Sequence, residues 1–308
     1  MHSESAPARL ETGGMPGDIT IRCGRALGSR PHLLEAHLAD LIARGYEAVE
    51  LSVQYLHCIL GGRLVERNVA AVAAACAAHA GDLQYSVHAP AVLDLRDRRD
   101  PETHRRILLA SVQFAAAIGA AVLVVHFEAR SPEPEVEEGF RAAIAGAAEL
   151  AGRHSLVLGI ENIEVERSEA VLEFLEHLNH PWVRMTYDFG HNYLAGNLFG
   201  YDHVAAARAC APYVAHLHIT DNFGRFNPAR LGDFNLYQAI PHSDVAILGI
   251  GDLHLPLGLG TLPAREVFAA VTPQDFQGLL ISEHDYFQYD DADRDVLAAM
   301  RALVSARG

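Results

Sequence analysis

The sequence predicts an α/β protein folded as a closed (β/α)8 TIM barrel, and three observations carry that expectation. Short runs rich in β-branched residues alternate with helical stretches of ten or more residues, eight times along the chain. Parallel strands need helical crossovers of this kind, whereas hairpins do not. Finally, C-G-R-A-L-G after the first strand lacks the glycine spacing of a dinucleotide-binding turn, which argues against an open doubly wound sheet.

Strands are predicted at 19–23, 48–53, 84–88, 121–126, 156–161, 183–188, 214–219 and 278–283. An amphipathic helix follows Pro31 and ends near Gly45, and an Ala-rich helix spans 64–80. Further helices are predicted at 101–119, 135–152, 168–178, 202–210, 263–270 and 290–303. Residues 1–16 have no apolar segment and read as a disordered leader, with one barrel domain over 17–308. The insertion-like loop at 220–262 is too long to be passive and is expected to fold over the barrel mouth.

Composition narrows the partners. The 308 residues are half apolar, enough for one large core, and the formal charge is -15. Such a surface repels nucleic acid and anionic membrane, so neither is an expected partner. The cations are all Arg; the absence of Lys removes Schiff-base chemistry and the P-loop lysine. Cys23, Cys58, Cys76 and Cys210 are scattered and read as core fillers in a reducing compartment, hence a cytoplasmic location. The apolar stretch at 110–125 is interrupted by Ser111, Gln113 and Gly119 and reads as a buried helix entering a strand.

The chemistry is concentrated at strand ends. His88, His126, Glu161, Asp188, His218 and Glu283 close six consecutive predicted strands, and His191, Asp252 and His254 stand in the segments that follow. In a TIM barrel all these ends converge on the catalytic face. Imidazole and carboxylate are the ligands preferred by hard and borderline divalent ions, so a metal centre is expected. Each residue also has a plainer reading. A single strand-end histidine is usually a packed or surface side chain; Asp188 and His191 form a D-x-x-H turn that an Asx-type cap explains; Asp252 and His254 make an ordinary loop ion pair. His216 and His218 share a strand face, and His218, nearer the end, is the preferred ligand. His216, His284 and Asp285 suit supporting or substrate-facing positions, and Tyr193, Asn222 and Arg225 are further candidates for substrate contact.

Taken in order, S-V-H-A-P, V-V-H-F-E-A, G-I-E-N, Y-D-F-G-H, H-L-H-I-T-D-N, G-D-L-H-L-P-L-G-L-G and I-S-E-H-D make nearly the whole chain resemble the xylose isomerase-like TIM barrel superfamily. That superfamily contains sugar-phosphate isomerases and epimerases together with endonuclease IV-like enzymes of the AP endonuclease family 2. The resemblance implies two arrangements. In the epimerase-like one, Glu161, Asp188, His218 and Glu283 hold a single Mn, Co or Mg ion, the two glutamates move the proton and His191 holds a substrate oxygen. In the endonuclease IV-like one, His88, His126, His191, Asp252 and His254 complete a centre of two or three zinc-like ions, with Glu161 bridging two of them.

The leading expectation is a divalent-metal-dependent isomerase or epimerase of carbohydrate metabolism. Glu161, Glu283 and His191 are its catalytic residues, and His88, His126, His216 and His254 contact the sugar or sugar phosphate. The alternative is a multinuclear phosphoester hydrolase, which would use His88, His126, Asp252 and His254 as ligands. A non-enzymatic metal-binding barrel is the bland reading. Assembly into homo-oligomers is left open by the sequence.

Overall fold

The structure, a computed structural model, describes residues 21–285 and 289–306. The expected leader at 1–16 lies outside the described residues. Eight strands form a closed barrel: β1 (Ile21–Leu27), β2 (Ala48–Ser52), β3 (Gln84–His88), β4 (Val122–Phe127), β5 (Val157–Asn162), β6 (Val183–Asp188), β7 (Val214–Ile219) and β8 (Gly278–Ser282). Every neighbouring pair is parallel, and β1 closes the ring against β8.

Register places the chemistry at one level. His126 lies opposite Glu161, and Asp188 opposite His218, so these side chains leave the barrel at the same end. The β6–β7 ladder is shifted between Met185 and Thr186, a local irregularity just below that end. Close approach of strands requires small residues here: a Cβ on Gly24 would stand 2.8 Å from the Ala48 carbonyl oxygen.

The outer helices are α1 (Leu34–Arg44), α2 (Glu66–Ala78), α3 (Pro101–Ala117), α4 (Pro134–Gly152), α5 (Ser168–Leu178), α6 (Phe189–Phe199), α7 (His203–Cys210), α8 (Ala264–Val271) and α9 (Asp293–Ser305). Local chemistry explains their limits. Gly45 ends α1 in the left-handed conformation, with its N–H returned to Leu41 and Ile42. Asp100 caps α3 through the Thr103 N–H, and Pro101 fills the first turn. All four cysteines are buried and free, as core fillers should be. No helix among the described residues is long and apolar enough to cross a membrane.

Three elements depart from expectation. Helix α6 follows β6 directly, where only a turn was expected. Its sequence is apolar nearly all round and carries Gly190 and Gly196, so it shows no amphipathic stripe. A small hairpin joins Ile59–Leu60 to Arg63–Leu64 through Gly61 and Gly62, both at positive φ. The loop after β7 is not irregular: it holds short helices at Ala229–Gly232, Phe234–Ala239 and His242–Leu248, and Asp221 pairs with Leu255 across its base.

Candidate metal centre at the barrel mouth

The strand ends and the β7–β8 loop bring nine predicted side chains together in three groups of possible ligands. These are His88–His126–Glu161, Glu161–Asp188–His218–Glu283 and His191–Asp252–His254, the ligand atoms within each lying within 4.8 Å of one another. Glu161 belongs to two of the groups and is fully buried. Its Oε2 lies 3.3 Å from His88 Nε2 and 3.4 Å from His126 Nε2, while its Oε1 lies 3.0 Å from His218 Nδ1. Glu283 approaches that same His218 nitrogen at 3.0 Å from the end of the neighbouring strand β8. Of these nine, all but Asp188 and His218 border a cavity of about 460 Å3, whose wall also includes Tyr55 and Tyr237.

Proton placement in this mouth tests whether its residues fit a cation. The Nδ1 atoms of His88, His191 and His254 lie 2.6, 3.0 and 2.8 Å from the carbonyl oxygens of Ala89, Asn162 and Glu283. A carbonyl only accepts, so each Nδ1 carries a proton, and each ring, when neutral, turns an Nε2 lone pair inward. Those Nε2 atoms meet carboxylates: His88 meets Glu161, while His191 and His254 meet Asp252 at 3.2 and 2.7 Å. Lone pair facing carboxylate is repulsive unless a proton or a metal ion lies between them. The other oxygen of Asp252 is buried with no hydrogen-bond partner. Nine nitrogen and oxygen donors with one shared carboxylate thus fit divalent ions.

The electrostatics agree. Burial works against charge on His88, but Glu161 outweighs it and pushes the imidazole up to about 9. Burial likewise opposes charge on His254, where Asp252 prevails and raises it to about 10. Asp188 moves the other way for a carboxyl: burial and the charges of Glu161 and Glu283 push it up to about 7, despite the opposing pull of His191. Asp188 also caps α6, its Oδ1 accepting from the His191 N–H at 2.5 Å. Cap and ligand are therefore compatible, since each uses one oxygen.

Two supports reach the site from further away. Arg230, on the loop after β7, donates to Glu164 at 2.9 Å and lies 3.4 Å from Glu128, whose carboxylate in turn faces His126. Its guanidinium also sits over the Phe234 and Tyr237 rings, so the loop is fastened to the loops after β4 and β5. Behind the mouth, His284 lies 2.9 Å from Asp293, which also holds Arg25, Arg44 and Tyr46.

Some predicted residues fall elsewhere. His216 was expected against a substrate, but it is fully buried below the mouth, 2.9 Å from Glu50, and does not border the cavity. The β7 pleat puts it one layer deeper than His218. Tyr193, Asn222 and Arg225 tie the loop down through Thr261, the Gly190 carbonyl and the Leu248 carbonyl, rather than lining the cavity. Glu50 was missed. Its signal was a lone carboxylate in the apolar strand A-V-E-L-S, and it is 1% exposed inside the barrel.

With fold and site geometry in place, the chain belongs to the xylose isomerase-like TIM barrel family, whose model matches residues 38–305. No curated protein matches it by sequence. Among solved structures it is similar to a D-tagatose 3-epimerase-like protein, at 16% identity and TM-score 0.66, covering 93% of this chain and 98% of that one. It is also similar to 3-keto-D-glucoside 4-epimerase from E. coli, at 16% identity and TM-score 0.62, with coverage of 92% and 100%. D-psicose 3-epimerase, solved in the presence of D-fructose, is 12% identical with TM-score 0.65 and coverage of 92% and 99%. At these identities the likeness concerns the fold.

Proposed function

We propose that the protein is a divalent-metal-dependent sugar isomerase or epimerase that moves a proton next to a substrate carbonyl. One observation carries this reading: Glu161 and Glu283, from the ends of β5 and β8 on either side of β7, converge at 3.0 Å on the same nitrogen of His218, and both glutamates border a cavity of about 460 Å3. Glu161, Asp188, His218 and Glu283 would hold Mn, Co, Zn or Mg. When bound, that ion supplies Lewis-acid stabilisation and orientation for adjacent carbonyl and hydroxyl oxygens.

The remaining steps belong to side chains. One glutamate removes the proton from the carbon beside the carbonyl and the other delivers a proton, each using the carboxylate oxygen left free of ligand duty. His191, His88, His126 and His254 offer nitrogen atoms for sugar hydroxyls around the rim. The described lining contains a single guanidinium, that of Arg25, and Asp293 already holds it at 2.9 Å. The sugar epimerases with similar folds support the same substrate class.

A second reading, a multinuclear phosphoester hydrolase, is favoured by the inward lone pairs of His88, His191 and His254, which form two donor groups that an isomerase does not need as ligands. One experiment separates them. Metal-loaded protein is incubated with a panel of ketoses in deuterated water, and with a chromogenic phosphodiester. Deuterium entering beside the carbonyl supports the isomerase; diester cleavage without exchange replaces it with the hydrolase.

A further inference from the structure

Three of the inward-facing histidines have their outer nitrogen held by a backbone carbonyl, but His218 does not. Its ring is reversed. Nδ1 faces the mouth, 3.0 Å from both Glu161 and Glu283, while Nε2 points down into the barrel, 3.0 Å from Glu50 Oε1. Nothing hydrophobic about β2 explains a carboxylate there. Glu50 is 1% exposed, and burying an isolated carboxylate is costly unless it is fully partnered. Its Oε2 accepts from Ser86 Oγ and lies 2.9 Å from His216 Nε2. Its Oε1 and His218 Nε2 face each other without an in-line hydrogen bond, and neither has another partner.

The geometry points to Glu50 as the positioning residue of the metal centre: by holding the proton of His218 on Nε2, where the carboxylate faces it, Glu50 leaves the Nδ1 lone pair for the ion held with Glu161, Asp188 and Glu283. Carboxylate–histidine–metal relays of this kind fix both tautomer and ring orientation. Glu50 could instead be a ligand, because it forms a donor group with His88, His218 and Glu283. Its own contacts argue otherwise, since Oε2 already accepts from Ser86 Oγ and lies 2.9 Å from His216 Nε2, and Oε1 stands 3.0 Å from His218 Nε2. His216 then has a purpose: it pins the other oxygen, so that Oε1 cannot rotate away from His218.

This role rests on the metal reading above, and the test separates the two. Apo protein is titrated with Co2+, followed by the d–d absorption of the bound ion. Wild-type protein should bind, whereas Glu50→Gln should bind about 10–100-fold more weakly, with an altered spectrum and unchanged circular dichroism. The Gln amide can donate to Nε2 and so favours the tautomer with a proton on Nδ1. Glu50→Asp should recover part of the affinity. In wild-type protein loaded with Zn2+, 15N shifts of the imidazoles should show His218 bound through Nδ1 with a protonated Nε2, a readout that requires no variant. If wild-type protein takes up no cobalt, the metal reading fails and this role fails with it. If wild-type and E50Q bind alike, or His218 is bound through Nε2, only the role of Glu50 is overturned.

Discussion

At the mouth, five imidazoles and four carboxylates share one small volume, and where their protons sit decides what they can hold. Glu161 is the residue on which the others depend, because it serves two donor groups. Glu161→Gln should abolish tight metal uptake and lower turnover by on the order of 10^3-fold, measured as metal content after dialysis together with the exchange assay. Metal uptake should also depend on pH with a defined sign. In the metal-free protein His88 is raised to about 9 and His254 to about 10, so both carry a proton at neutral pH. Ligation needs the neutral ring, so binding should release protons and affinity should fall as pH drops. Titration in weak buffer with a pH indicator checks this; uptake without proton release would contradict it. The nine ligand candidates were legible in the sequence because each ends an apolar strand or follows one. Glu50 and the deeper place of His216 were not, because both depend on which way a side chain points inside a closed barrel.

Elements carry the next set of consequences. Helix α9 is tied to the barrel wall by Asp293, whose carboxylate meets Arg25, Arg44 and His284 at 2.8–2.9 Å. Burial alone would raise this carboxyl, but His284 and Arg25 lower it from 3.8 to about 2. The depressed value contributes stability that is present above the unfolded pKa and lost as pH falls through the folded one, on the order of 2 kcal/mol. Asp293→Asn removes the carboxylate that faces buried Arg25, Arg44 and His284, at a cost of about 3 kcal/mol. Its thermal midpoint should therefore drop by several degrees at pH 7, and the gap should narrow toward pH 2. Arg230 fastens the loop after β7 to the loops after β4 and β5. Arg230→Ala should speed amide exchange over 229–248 and raise KM by about tenfold with kcat little changed, since Tyr237 borders the cavity but no proton-moving group is touched. Strands β3, β6 and β7 and helix α5 were readable to the residue, because alternation or amphipathic periodicity was strong there. Helix α6 and the loop helices were hidden: the first has no amphipathic stripe because its first two turns are buried nearly all round, and the others are only four to seven residues long.

On the scale of the molecule, the acidic surface and the site tell a consistent story. A chain with net charge -15 and no Lys attracts cations and repels polyanions in general, in keeping with the carboxylates gathered at the mouth. The (β/α)8 architecture was fully legible, because eight strand–helix alternations leave few other closed solutions. The number of ions was not, since the same residues suit one ion with a sugar or three with a phosphoester. Crystals of protein loaded with Mn2+ or Zn2+, with anomalous scattering recorded at the metal edge, address the central claim most directly. The account requires an anomalous peak within bonding distance of Glu161, Asp188, His218 and Glu283; a well-ordered mouth with no peak there, or with those side chains pointing apart, would contradict it.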